Sequence, residues 1–198
     1  MRALASLCFL GLTSVAHAQE PTNTFYAGAG LGSFTYTEDL SVIDPEFRSF
    51  SNFSTTAWKI YGGFSFNQYL GVEGGYWSSG TITDQVYGTD PFFGPFSMNA
   101  IIDFRSLSLR GMGYLPMSWG TLFGGLGYYD ADNDLTYTAF LECCDDEFYR
   151  SVDPFSGFTG QFGAQWSFSS FALRAEYEWW DIEGGDAWAF GVGAFWRF

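Results

Sequence analysis

The chain has 198 residues, of which 22% are aromatic, 25 are glycine and only 15% are charged, with a formal net charge of −14. Soluble domains carry nearer a quarter charged residues, and the acidic balance supplies no basic patch for nucleic acid. Past the N-terminus no apolar run reaches the roughly 18 residues that a membrane helix needs, which argues against a helical membrane protein.

The first segment reads as a cleaved export signal over residues 1–18. Arg2 gives a minimal positive start, residues 3–15 are apolar, and Ala16-His17-Ala18 is a small-x-small cleavage site. The mature chain is expected to begin at Gln19. Removing the signal removes His17, the only histidine, and leaves Cys143 and Cys144 as the remaining cysteines.

From there on, period-two alternation recurs in segments of about ten residues, the length at which a tilted strand crosses a bilayer. The first, 24–34, is glycine-rich through Gly28, Gly30 and Gly32. The next, 55–66 and 69–79, set Trp58, Ile60 and Phe64 against Lys59 and Tyr61, then Leu70, Val72 and Tyr76 against Glu73. Segment 106–115 opposes Leu107 and Leu109 to Ser108 and Arg110, and 119–129 is a weaker version.

The last three segments are clearest. Phe158, Phe162, Trp166 and Phe168 oppose Thr159, Gln161 and Gln165. Leu173, Tyr177 and Trp179 oppose Arg174, Glu176, Glu178 and Trp180. Trp188, Phe190, Val192, Ala194, Trp196 and Phe198 oppose Gly191, Gly193 and Phe195. Because the side-chain period is two, a one-residue slip exchanges the faces, so register is strongly specified. Eight segments predict an all-β, eight-stranded antiparallel up-and-down transmembrane β-barrel over residues 19–198.

Connections alternate. Residues 35–54, 80–105, 130–156 and 182–187 are expected as the outer set, and 67–68, 116–118 and 169–170 as tight turns, which puts both termini on the periplasmic side and the long loops outside. Acidic residues concentrate in the outer set, most densely at Asp130, Asp132, Asp134, Glu142, Asp145, Asp146, Glu147 and Asp153.

Alternation alone does not say which face is inside; a soluble ligand-carrying barrel shows the same period with the faces exchanged. Glycine shares the charged face, as expected where an eight-stranded lumen has room only for side chains. Aromatic residues cluster towards strand ends on the apolar face, where membrane interfaces favour them. Lys59, Arg110 and Arg174 balance Glu73, Glu176 and Glu178, which predicts an interior charge network, since unpaired buried charges are costly.

These blocks resemble a known family. Phe25-Tyr26-Ala27-Gly28-Ala29-Gly30-Leu31-Gly32, Lys59-Ile60-Tyr61-Gly62-Gly63-Phe64 with Leu70-Gly71-Val72-Glu73-Gly74-Gly75-Tyr76, Leu173-Arg174-Ala175-Glu176-Tyr177-Glu178-Trp179 and the final Phe198 are similar to small porin-family outer-membrane proteins with an OmpA-type or opacity-type barrel. The resemblance implies insertion by the barrel assembly machinery through a C-terminal strand ending in an aromatic residue, here Phe190, Val192, Ala194, Trp196 and Phe198. Gly30 stands where that family can carry a lysine, so a gated ion path is not carried over.

Other chemistry finds little support. Outer-membrane enzymes of the lipase, acyltransferase and protease kinds resemble one another in using histidine, and none remains after cleavage. Glu176 and Glu178 share one strand face, where pairing with Arg174 and Lys59 accounts for them. Asp130-Ala131-Asp132-Asn133-Asp134 begins like a calcium loop but has Leu135 and Leu141 where glycine and glutamate are required, so it reads as a solvated acidic loop. No catalytic, metal or cofactor site is expected. Cys143 and Cys144 are adjacent, with a strained mutual bond, an intermolecular bond or separate thiols all open. The functional expectation is a monomeric structural or surface-interaction protein of the envelope, in contact with outer-membrane lipid and lipopolysaccharide, with a narrow channel as the alternative.

Overall fold

The computed structural model describes residues 23–38, 53–90, 94–141, 144–150, 155–182 and 185–198. The expected leader with its cleavage site and Cys143 lie outside them. Nine strands follow in order: β1 (Thr24–Glu38), β2 (Phe53–Ser65), β3 (Leu70–Asp90), β4 (Gly94–Met117), β5 (Gly120–Leu141), β6 (Cys144–Arg150), β7 (Phe155–Phe168), β8 (Phe171–Ile182) and β9 (Gly185–Arg197). All pairings are antiparallel. The β4–β5 pairing closes the ring β1-β2-β3-β4-β5-β7-β8-β9, an eight-stranded barrel, while β6 lies beside β5 alone. Closure satisfies the backbone of every wall strand within the sheet, which a lipid environment demands.

Three tight turns join strands at one end. Asn67 Oδ1 accepts from the Tyr69 and Leu70 amides, the side-chain mimic of a turn that makes asparagine useful there. The β7–β8 turn places Ser169 at φ 61°, a left-handed conformation uncommon outside glycine. The chain end is tied to the start, with the Phe198 amide donating to Phe25 O at 2.9 Å.

The faces fall as the alternation predicts, and inside out relative to a soluble fold. Phe158 is 70% exposed and Leu109 63%, whereas Lys59, Glu73 and Glu178 are 0% exposed. Outward rings form two belts. One, at the turn end, holds Phe25, Phe64, Phe66, Trp119, Trp166 and Trp196; Trp119 and Trp166 are 6.1 Å apart. The other, at the opposite end, holds Trp58, Tyr76, Tyr177, Trp179 and Trp188; Trp58 and Tyr76 are 5.5 Å apart. An apolar band between aromatic belts is the outside of a membrane barrel.

Two expectations need correction. Residues 80–105 and 130–156 are not loops throughout: β3 and β4 stay paired as far as Asp90 opposite Gly94, and β4 and β5 as far as Phe96 opposite Leu141. A crossing length limits only the lipid-embedded part of a strand; beyond it, β-branched residues such as Thr81, Ile82, Thr83, Ile101 and Ile102 keep the hairpin ladder going in water. Accordingly the acidic run Asp130–Asp134 lies on extended β5, with Asp130 and Asp132 exposed and Ala131 buried between them. The connection at 182–187 is also shorter, since β8 reaches Ile182 and β9 begins at Gly185.

The exit from the barrel is marked on β3. Its pairing with β2 ends at Ser78, and its register with β4 shifts between Ser78 and Thr81, where Gly80 has φ 64°. A bulge of this kind bends and twists a strand. Ser79 Oγ accepts from the Phe104 amide at 3.1 Å and holds the bulge to β4.

Candidate functional site: the filled barrel interior

The interior is three layers of side chains. At the hairpin end Phe34, Trp77, Phe104 and Trp180 are all buried: Phe34 and Phe104 stack at 4.7 Å, and Trp180 meets Phe34 at 5.7 Å, Phe104 at 5.5 Å and Trp77 at 5.8 Å. At the turn end Tyr26, Tyr61 and Phe195 form one cluster and Met112, Tyr114 and Phe123 another. Of the interior aromatics that alternation assigns inward, Tyr26, Tyr61, Trp77, Phe123, Tyr129, Trp180 and Phe195 are all buried. Glycine makes the room: a Cβ at Gly28 would lie 2.8 Å from the Tyr61 ring, and one at Gly163 would lie 2.6 Å from that of Phe123.

Between the aromatic layers lies the charge network, and all six charged residues singled out from the sequence meet in it. Lys59 Nζ is 2.9 Å from Glu178 Oε2, 3.0 Å from Glu176 Oε1 and 3.7 Å from Glu73 Oε1. Arg174 grips Glu73 with both terminal nitrogens, and its Nε lies 2.9 Å from Glu176 Oε2. Arg110 contacts Glu178 and donates to Gln161 Oε1 at 3.0 Å. Register explains the assembly. Lys59 stands on β2, Glu73 on β3, Arg110 on β4 and the other three on β8, so the network ties opposite walls across the lumen.

Neutral donors complete it. Tyr26 Oη donates to Glu73 at 2.9 Å, Trp77 Nε1 to Glu178 at 2.8 Å and Gln161 Nε2 to Glu73 at 3.0 Å. Arg174 also stacks over Phe123, 4.0 Å from the ring centroid. Gln161 is the member that sequence reasoning missed as a participant. Its signal was present: it alternates onto the inward face and lies directly opposite Glu178 in the β7–β8 register. Three cations and three carboxylates thus neutralise one another where water is scarce, the condition under which buried charge is tolerated.

The C-terminal residues take their places on β9. Phe190, Val192, Trp196 and Phe198 are exposed on the outer wall, Ala194 shares that face, and β9 pairs with β1 to close the ring. Among the described residues no group of His, Cys, Asp and Glu is arranged to hold a metal ion. Cys144 begins β6, and the question of its bonding involves Cys143, outside the described residues.

No curated protein matches the chain in sequence. Among solved structures it is similar to Ail, the attachment invasion locus protein of Yersinia pestis, at 14% identity and TM-score 0.57, covering 90% of this chain and 100% of that one. It is similar to Neisserial surface protein A at 12% identity and TM-score 0.54, covering 88% and 97%. The outer membrane protein OprG of Pseudomonas aeruginosa gives 16% identity and TM-score 0.54 over 91% and 98%. Such identities speak for the fold, and the fold they share is the small membrane barrel described above. The outer membrane protein beta-barrel domain matches residues 4–198, nearly the whole chain, so the chain belongs to that family and is an outer-membrane protein.

Proposed function

We propose that the protein is a non-enzymatic surface-interaction barrel, with a filled interior that serves as an anchor and hairpins that meet partners outside the cell. The observation that carries this reading is the division of the molecule at the β3 bulge. Below it every inward position is packed; above it β3, β4, β5 and β6 continue as a sheet beyond the barrel. Among the described residues, β3 has no second strand partner past Ser78. Such an edge offers unpaired backbone groups to a partner strand. Ail is described in complex with a heparin analogue, sucrose octasulfate. The acidic outer segments here favour cationic or neutral partners instead, since a polysulfate would be repelled.

The same reading places the termini in the periplasm, with lipopolysaccharide around the outer belt and the barrel assembly machinery acting on the β9 terminus, the barrel itself being a monomer. The test is topological. Cysteines introduced at Asp90 and Asp145 are expected to react with an impermeant reagent on intact cells, and those at Asn67 and Ser169 only after the envelope is opened. Equal reaction at both sets refutes the orientation and with it the outward role of the hairpins.

A further inference from the structure

Past the hairpin-end belt neither lipid nor lumen imposes a pattern on the strands, so an alternation found there has another cause. On β4 one is present: Phe96, Met98, Ala100 and Ile102 share the face of the ladder that continues buried Phe104, and Ser97, Asn99 and Asp103 share the other. Register aligns the neighbouring strands with it. Ile102 stands between Ile82 of β3 and Leu135 of β5, and Met98 between Val86 and Ala139. The opposite face reads Gln85, Asn99 and Thr138 across the same three strands. The projecting sheet thus has an apolar face on the lumen side and a polar face away from it.

The bulge on β3 brings that strand into phase. Inside the barrel its buried residues are odd-numbered, Glu73, Gly75 and Trp77. Between Arg105 and Asp103 of β4 the ladder advances two residues, whereas β3 advances three, from Ser78 to Thr81. The extra residue transfers the lumen-side face to Ile82 and Val86; an unbroken ladder would have placed Thr81, Thr83 and Gln85 there.

Acidic residues border this face on both sides. Beyond the bulge, edge strand β3 carries Asp84 and Asp90, and edge strand β6 carries Asp145, Asp146 and Glu147 against Arg150. Among the described residues all nine strands belong to one sheet, so none forms a second layer over the face. The strip is about 30 Å long and about 14 Å wide, from roughly ten residues of rise and three ladder spacings. Apolar area of that extent, roughly 400 Å², is the scale at which a patch marks an interaction site. One helix, roughly 10–12 Å across, lies along such a strip, and a helix on the single apolar face of an antiparallel sheet completes a two-layer unit.

We propose that the lumen-side face of the projecting sheet docks a cationic amphipathic helix of a partner protein. The helix sets its apolar stripe along β4 and its flanking lysines or arginines against the carboxylates of the two edge strands. This partner deepens the surface-interaction reading and rests on it, since the helix must reach the hairpins from outside the cell. A second copy of the chain is disfavoured by charge, at −14 for each copy.

The folded full-length barrel, in nanodiscs of dimyristoyl phosphatidylcholine, is prepared with a photoreactive residue as Met98→benzoylphenylalanine or Ser97→benzoylphenylalanine. The probe is a synthetic helix of three Leu-Lys-Lys-Leu-Leu-Lys-Leu repeats. Irradiation is expected to cross-link it through position 98 and not through position 97, because successive strand residues lie on opposite faces. An analogue with glutamate in place of lysine should bind about ten-fold more weakly, the scale of a few exposed ion pairs. Asp84→Asn/Asp90→Asn should narrow that difference, whereas the control Asp181→Asn/Asp186→Asn, exposed on β8 and β9, should leave it unchanged. Heat-modifiable gel mobility verifies that each variant is folded. Equal adducts at positions 97 and 98 overturn the proposal, as does equal binding of the two peptides. A barrel–barrel adduct through position 98 without peptide also overturns it, by making a second copy the occupant. Nanodiscs leave both ends of the barrel accessible, so hairpins facing the periplasm would fail the labelling test on cells and leave this adduct intact. Loss of the adduct with correct labelling overturns the helix site alone.

Discussion

Arg174→Leu is expected to lower the stability of the folded barrel by about 3–5 kcal/mol, the range for removing one partner from a buried ion pair. Arg174 supplies the bidentate grip on Glu73 and approaches Glu176. Leucine fills part of the space but leaves three carboxylates facing Lys59 and Arg110 alone. Tyr26 and Gln161 still donate to Glu73, which softens the loss without replacing the charge. A reduced urea midpoint for refolding into lipid vesicles is the expected readout. Adding Glu73→Gln should restore at least half of the loss, because the interior is then neutral again. If the single variant leaves the midpoint unchanged, the network is not a stabilising core; if the double variant is worse than the single, charge balance is not what matters.

A loss of similar size, about 3–5 kcal/mol, is expected for Trp180→Ala, through cavity formation instead of charge. Trp180 is 1% exposed and touches Phe34, Trp77 and Phe104, so its removal empties the centre of the aromatic layer at the hairpin end. Trp180→Phe should cost much less, since a ring remains to meet the other three. The same urea titration separates the two. Equal midpoints for the alanine and phenylalanine variants, or an alanine variant as stable as the parent, would show that this layer is not packed as described.

The crossing segments are legible in the sequence because lipid and lumen impose opposite demands on successive residues. On β8 the contrast between Leu173, Tyr177 and Trp179 and Arg174, Glu176 and Glu178 is complete, and the structure keeps it. Strand length was not legible. Beyond the belts both faces meet water, so nothing forces alternation, and the paired stretches 81–90 and 94–103 look like loop in the sequence. The bulge at Ser78–Thr81 was visible only as the Ser-Ser-Gly that ends a segment.

For the interior, the membership of the charge cluster followed from face and balance, but its pairings did not. Glu73 and Arg110 are direct cross-strand neighbours, yet Glu73 is held by Arg174 from the far wall, and Arg110 reaches Glu178. Those choices depend on barrel shear and on where Gly75 leaves room for the Lys59 and Arg110 side chains. They are set by non-local geometry that no local pattern records. Gln161 was overlooked as a partner for the same reason: its role depends on standing between Glu73, Lys59 and Arg110, which lie on three other strands.

The central claim is that the lumen is filled by side chains and the protein acts as an anchor for its outer hairpins. Eight strands enclose space for side chains, whereas open porins use sixteen or more. Single-protein conductance in planar lipid bilayers tests this most directly. The purified, folded barrel is expected to show at most small transient conductance, since the lumen is occupied by buried side chains from end to end. Steady conductance comparable to that of a general porin would contradict the filled interior.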